Sequence, residues 1–222
     1  MPTSPAKQHF HRAQAAQRQS SDAPVRADAN AYELMLAKLT EDRRRLHDIQ
    51  SIDRRADVKR ELLPDYTAWV EGALEGDYGV QDDVLMTIMV WCIDVGDLVG
   101  ALQIADYAIK HKLAMPDQYK RQTGCLIAEE FADYALRIDV ISPEVTEQLQ
   151  AANDLTAKED MPDQVRAKLL KAVGYGLAQS GDASLLQSAL DHLKHALGLH
   201  AKVGVKKDIE RIEREVKNSA TA

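Results

Sequence analysis

One stretch near the middle of the chain is apolar on every side. Across residues 84–93 only Thr87 is polar, so a helix here is predicted to be buried all round. The stretch is roughly half as long as a bilayer span, which favours a core helix over a membrane segment. Asp82 and Asp83 stand where the first turn of this helix offers unpaired N–H groups, Gly96 follows it as a left-handed stop, and Asp97 is placed to cap the next helix.

Hydrophobic residues elsewhere recur at steps of three and four, and no stretch alternates with period two for long. The Gly96-Asp97 corner has a second copy at Gly181-Asp182, and each corner is followed by a stripe of small and apolar residues. Such corners are typical of packed helical hairpins of the tetratricopeptide kind. We therefore predict an all-α bundle of α-hairpins with tetratricopeptide-like packing and a long N-terminal helix. The predicted segments are a mobile basic arm (1–28), a long helix for DNA contact and/or oligomerisation (29–63), a helical core (64–160), and a C-terminal hairpin ending in a partner-docking helix (161–222).

The long helix carries a seven-residue hydrophobic repeat. Tyr32, Leu39 and Leu46 are spaced seven apart, with Met35 and Ile49 at companion positions. This repeat is typical of a coiled coil, so these five residues are the candidates for oligomerisation. Charged residues interrupt the repeat, and burial against the protein's own body is the competing interpretation.

Charge is unevenly distributed along the 222 residues, whose formal net charge is −7. Residues 1–60 hold 12 basic and 8 acidic side chains, a net +4, and residues 61–222 hold 16 and 27, a net −11. A basic front predicts a polyanionic partner near the N-terminus. The alternative interpretation is that these basic residues are only hydrated by solvent, in a terminal tail and on one face of a helix, and bind no partner. The candidate phosphate-binding residues are Lys7, Arg12, Arg18 and Arg26 in the arm and Arg44, Arg55 and Lys59 on one face of the long helix.

The last predicted helix has a narrow apolar seam formed by Val205, Ile209, Ile212 and Val216. Both charge signs surround the seam in the KKDIERIEREVK stretch. Such a seam either caps the body of the protein or docks into a partner. The pattern leaves both hypotheses open.

The sequence contains few candidate catalytic or metal-binding residues. A metal-dependent nuclease needs converging carboxylates, for which Asp82–Asp83 and Asp94–Asp97 are candidates, but the sequence shows no convergence and helix capping explains both pairs. No phosphate-binding loop and no Ser or Cys nucleophile signature is present. Cys92 and Cys125 lie in apolar helical context, which predicts a reduced core role. We expect no metal site and no cofactor, with Mg²⁺ required only if the protein is itself a nuclease.

Several stretches resemble a known family. They are TSPAKQH near the start, RELLPDYTAWVEGALEG, the central QDDVLMTIMVWCIDVGDLVGALQIADYAIKHKLAMP, then DMPDQVRAKL and GVKKDIERIEREVK. These stretches resemble the terminase small subunit of peduovirus-type tailed phages, a family often labelled the terminase endonuclease subunit. The resemblance covers nearly the whole chain. It implies recognition of the cohesive-end site on phage DNA, assembly with a large ATPase subunit, and the start of packaging into a procapsid.

Three functional hypotheses follow. The first is a DNA-recognition and packaging-initiation subunit, whose expected partners are double-stranded phage DNA, the large subunit and further copies of itself. The second is the cohesive-end endonuclease itself. The third is a helical adaptor that makes no DNA contact. The N-terminus has no hydrophobic signal core, so we expect the protein in the cytoplasm of the bacterial host, without membrane contact.

Overall fold

The computed structural model describes residues 5–18 and 25–219, with the side chains of residues 7, 17, 18, 25–30 and 219 left out. Within these ranges the chain is all-α, with no strand. The helices are α1 Pro5–Arg18, α2 Val25–His47, α3 Ile52–Leu62, α4 Thr67–Gly76, α5 Asp83–Val95, α6 Leu98–His111, α7 Thr123–Arg137, α8 Pro143–Leu155, α9 Asp163–Gln179, α10 Leu186–Leu199 and α11 Lys206–Ser219. Helices of this part of the chain are all too short or too polar to cross a bilayer. The chain divides into two compact units, Met1–Thr123 and Gly124–Ala222.

The first unit is built around α5, as the hydrophobic pattern predicts. Residues 84–93 are all buried, and α5 is in contact with α2, α3, α4 and α6. The predicted caps are confirmed: Asp82 accepts from the N–H groups of Val84 and Leu85, Gly96 has a φ of 86°, and Asp97 accepts from the N–H of Gly100. A capping aspartate at one end and a left-handed glycine at the other thus determine where this buried helix begins and ends.

The predicted long N-terminal helix is wrong in its extent, because residues 48–51 separate α2 from α3. Ser51 has an extended backbone, and its hydroxyl accepts from the N–H of Arg54 as the N-cap of α3. The Arg55 side chain donates to the carbonyl of Ile49 across the break. A helix start with its own cap therefore interrupts the hydrophobic repeat.

Residues 5–18 form a helix rather than the mobile arm predicted for residues 1–28. The helix α1 packs on α4, where the backbones approach so closely that a Cβ on Gly72 would lie 2.2 Å from the carbonyl oxygen of Arg12. Ala15 is buried at the same contact, 1% exposed. Small residues let two helices pack without large apolar side chains, which explains why the hydrophobic pattern missed α1.

In the second unit, α9 packs against both α8 and α10. The helix α10 also packs on α11. The helix α8 begins after Ser142, whose hydroxyl accepts from the N–H of Val145 as the N-cap. Gly181 has a φ of 75° and Asp182 caps a short 3₁₀ turn, Ala183–Leu185, that leads into α10. The second Gly-Asp corner is therefore present, and tetratricopeptide-like packing stays a prediction.

Candidate nucleic-acid interface

The α2–α3 corner, which we define as residues 43–55, is rich in arginine. It holds five arginines and two aspartates, a net +3 in a chain whose net charge is −7. The corner is a compact turn, because the N–H of Asp48 donates to the carbonyl of Arg44 and the N–H of Ile49 to that of Leu46. The ends of two helices thus bring their arginines to one region of the surface.

Four arginines of the corner are exposed, and one of them, Arg45, pairs with Glu61 at 3.0 Å. Arg44 has a side chain 75% exposed, and its partner Glu41, 3.5 Å away, is equally exposed, so this ion pair contributes little. Arg43 and Arg54 are also exposed, and among the described residues no carboxylate lies within ion-pair distance of either. These guanidinium groups are available to a polyanion.

The other predicted phosphate-binding residues are placed differently. Lys59 forms an ion pair with Asp94 and its side chain is only 15% exposed, and Arg55 is bound to the corner's own backbone. Arg12 bridges Glu71, at 2.9 Å, and Glu75, and this ion pair lowers the pKa of the Glu75 carboxyl. The candidates Lys7, Arg18 and Arg26 have side chains outside the described residues.

Comparison with known proteins decides the family. The family model for the phage small terminase subunit matches residues 36–164, a range that includes the whole α2–α3 corner and the central helix. The chain is 46% identical over 216 residues to the "Terminase, endonuclease subunit" of Escherichia phage P2, covering 97% of this chain and 86% of that protein. It is 24% identical over 199 residues to the "Probable terminase, endonuclease subunit" of Haemophilus phage HP1 (strain HP1c1), covering 84% and 71%. No solved structure matches.

The chain belongs to the phage small terminase subunit family. The resemblance stated from the sequence is therefore confirmed. The family supports a role of this terminase small subunit in viral DNA packaging.

Sequence reasoning missed Arg43 and Arg54. It selected Arg44, Arg55 and Lys59 because their spacing puts them on one face of a continuous helix, and the break at residues 48–51 removes that continuity. The sequence signal for the corner is the run Arg43-Arg44-Arg45, followed a few residues later by Ser51, a residue type that favours the N-cap position.

The oligomerisation candidates lie inside the first unit of the terminase small subunit. Met35, Leu39 and Leu46 are 2%, 3% and 7% exposed, and Ile49 is half-buried. The ring of Tyr32 stacks on Trp69 at 6.1 Å. Burial against the protein's own body, the alternative that the sequence left open, is thus the arrangement in the structure.

The partner-docking candidates of α11 are mostly buried too. Val205 and Ile212 are fully buried, Ile209 is 7% exposed, and these three form a cluster with Leu190 and Leu193 of α10. Val216 packs against the same cluster and stays half-buried. The apolar side of α11 therefore covers the core of the second unit, and its charged side faces solvent.

The candidate carboxylates have structural partners. The second oxygen of Asp82 accepts from the indole N–H of Trp69 at 3.0 Å, Asp94 pairs with Lys59, and Asp97 caps α6. Within the described chain, no three His, Cys, Asp or Glu side chains converge as metal ligands would. Both cysteines are buried and form no disulfide, as predicted, and burial raises the pKa of the Cys92 thiol to about 12.

Proposed function

We propose that this terminase small subunit binds duplex phage DNA at the cohesive-end site and recruits the large ATPase subunit, so that packaging into the procapsid starts. The observation that carries the DNA contact is the α2–α3 corner, where Arg43, Arg44 and Arg54 are exposed in an otherwise acidic chain. The family supports the packaging role, and this protein would act in the cytoplasm of the bacterial host.

A charge-reversal experiment tests the DNA contact. Arg43→Glu, Arg44→Glu and Arg54→Glu are combined, and binding to a labelled cohesive-end duplex is measured by fluorescence anisotropy over a range of salt concentrations. Each lost phosphate contact lowers the slope of log affinity against log salt by about 0.9. We expect the triple variant to lose at least about tenfold in affinity and to show a shallower slope.

The matched control reverses three exposed lysines of the second unit, Lys202, Lys206 and Lys207, which changes the net charge by the same amount. The control variant should keep wild-type affinity. Equal losses in both variants would mean that net charge alone is responsible, and an unchanged triple variant would exclude the corner. Deleting residues 1–60 is a poorer test, because it removes α2 and α3, which pack on the central helix.

A second candidate function is endonuclease activity, which the names of both relatives favour. It predicts Mg²⁺-dependent nicking of cohesive-end DNA by the purified small subunit alone, and loss of nicking in Asp97→Asn while the fold is kept. Parallel reactions with the large subunit show whether cleavage depends on that partner. A homo-oligomer also stays a prediction, which light scattering of the purified protein decides.

A further inference from the structure

Four basic side chains lie at the end of α6 and in the loop that follows it. Lys110, Lys112, Lys120 and Arg121 are the only lysines and arginines between residues 61 and 121, a stretch that also holds eleven acidic residues. All four follow or end α6, which places them in or beside the loop between α6 and α7. The hydroxyl of Thr123, at the start of α7, donates to the carbonyl of Leu113 at 2.5 Å, so the two ends of this loop are held together.

The loop between α4 and α5 lies against the same end. Asp77 accepts hydrogen bonds from Lys110 and from His111 Nε2, the latter at 2.8 Å. These two donors hold the pKa of the Asp77 carboxyl below its ordinary value, Lys110 having the larger effect. Farther along, the side-chain amide of Gln81 makes two hydrogen bonds of 2.9 Å to the backbone of Ala114. The α4–α5 loop is therefore fastened at both of its ends.

The fastened loop holds an aromatic side chain out into solvent. Tyr78 is 60% exposed, although it lies between two residues with tightly defined backbones. Asp77 has a left-handed φ of 49°, and Gly79 has a φ of 71° with its N–H donating to the hydroxyl of Tyr107 at 2.9 Å. A Cβ on Gly79 would lie 2.4 Å from the His111 ring, so the backbone fits closely there. Little conformational freedom is left for the loop to lose on binding, which favours affinity.

We propose that Tyr78 and the exposed lysines of the adjoining α6–α7 loop, Lys112 and Lys120, form a binding surface for single-stranded nucleic acid. An exposed tyrosine ring offers a stacking face for a base, and lysines of the neighbouring loop offer charges for the adjoining phosphates. Duplex bases are already stacked on each other, so the exposed ring favours an unpaired strand. Asp77, an acid of this surface, is already ion-paired with Lys110 and hydrogen-bonded to His111, and Asp117 is the one acid among residues 112–122.

This surface is distinct from the α2–α3 corner, and the inference does not depend on the duplex contact proposed there. The two are separated experimentally, since corner variants should lose duplex affinity and keep single-strand affinity. Variants of the loop surface should show the opposite pattern.

The test uses the full chain and a fluorescein-labelled oligothymidylate of about 16 nucleotides, with affinity measured by anisotropy. We expect Tyr78→Ala to weaken binding about 5- to 150-fold, and Tyr78→Phe to stay within about twofold because the ring is kept. Lys120→Glu should weaken binding and reduce its salt dependence. Lys112→Asn should do the same, because asparagine tolerates the left-handed φ of 55° at this position.

The matched control is Phe10→Ala, which removes another exposed aromatic side chain, 51% exposed on α1, and should leave affinity unchanged. A second probe replaces the oligonucleotide with an abasic deoxyribose-phosphate chain of the same length, which should bind more weakly. Equal binding of the abasic chain, effective competition by polyglutamate, or a Tyr78→Ala variant with wild-type affinity would each overturn the proposal.

Discussion

At the scale of single residues, the Asp82 side chain is 1% exposed and accepts hydrogen bonds from two backbone N–H groups of α5 and from the indole of Trp69. A carboxylate in this position ties the start of the central helix to α4. Replacing it removes an N-cap and leaves a buried indole N–H without an acceptor. We expect Asp82→Ala to lower the free energy of unfolding of the first unit by about 2–4 kcal/mol, measured by urea denaturation followed by tryptophan fluorescence.

Asp106 provides the control, since it is exposed on α6 and Asp106→Ala should change stability by less than about 0.5 kcal/mol. The result also separates capping from catalysis at Asp82. A variant as stable as wild type that has lost a DNA-nicking activity would support the nuclease alternative, and an easily unfolded variant supports the cap.

At the scale of secondary-structure elements, Gly72 controls how α1 docks on α4. A Cβ at this position would lie 2.2 Å from the Arg12 carbonyl and 2.9 Å from Ala15 Cβ, so alanine forces α1 away. We expect Gly72→Ala to displace α1 and to speed cleavage by trypsin after Arg12, read by mass spectrometry. The intrinsic helix propensity of alanine acts in the opposite direction, by about 1 kcal/mol.

Gly198 in α10 isolates that propensity effect, because nothing lies within 4 Å of its added Cβ. Gly198→Ala should therefore be neutral or stabilising by up to about 1 kcal/mol. Trypsin cleavage after Arg12 at the wild-type rate in Gly72→Ala would show that α1 does not dock at Gly72.

The apolar seam of α11 gives a second prediction at this scale. Ile212 is 0% exposed in a cluster with Leu193 and Val205, so Ile212→Ala should cost about 2–5 kcal/mol in the stability of the second unit. Hydrogen exchange of the α10 and α11 amides measures the loss, with Val140→Ala, at a side chain 70% exposed, as the control. Unchanged protection together with a weakened large-subunit complex would instead favour the docking interpretation.

The sequence predicts elements best where the signal is local. The start and end of α5 follow from Asp82 and Gly96, and the start of α8 follows from Ser142 and Pro143, because caps and left-handed stops act within one turn. The break between α2 and α3 was not predictable from spacing, since Leu46 and Ile49 continue the apolar repeat up to it.

The candidate site depends on that break, which explains why only part of it was predicted. Arg44 was predicted because its spacing from Arg55 and Lys59 puts the three on one helix face, whereas the exposure of Arg43 and Arg54 follows from where two helices end and begin. Lys59 and Arg12 have the expected charge, but carboxylates distant in sequence, Asp94 and Glu71, neutralise them. Pairing between elements is a tertiary property that one-dimensional spacing does not contain.

At the scale of the whole molecule, two surfaces of a chain with a net charge of −7 are proposed to bind nucleic acid: the α2–α3 corner and the loop surface around Tyr78. If these are separate sites, a duplex with a single-stranded extension engages both, and the free energies of the two contacts add. We expect the corner variant Arg43→Glu/Arg44→Glu/Arg54→Glu and Tyr78→Ala each to weaken binding of such a substrate. In a variant that combines all four substitutions, the fold-loss in affinity should equal the product of the two separate fold-losses to within about twofold.

Substrate design makes this prediction sharper. On a blunt duplex, Tyr78→Ala should leave affinity unchanged, and the corner variant should show its full loss of affinity. On the isolated single strand, Tyr78→Ala should lose affinity and the corner variant should keep it. A combined loss much smaller than the product would mean that both sets of residues contact one continuous stretch of nucleic acid. Because counterion release makes both contacts salt-dependent, all four affinities must be compared at one salt concentration, at which the wild-type complex is only moderately tight.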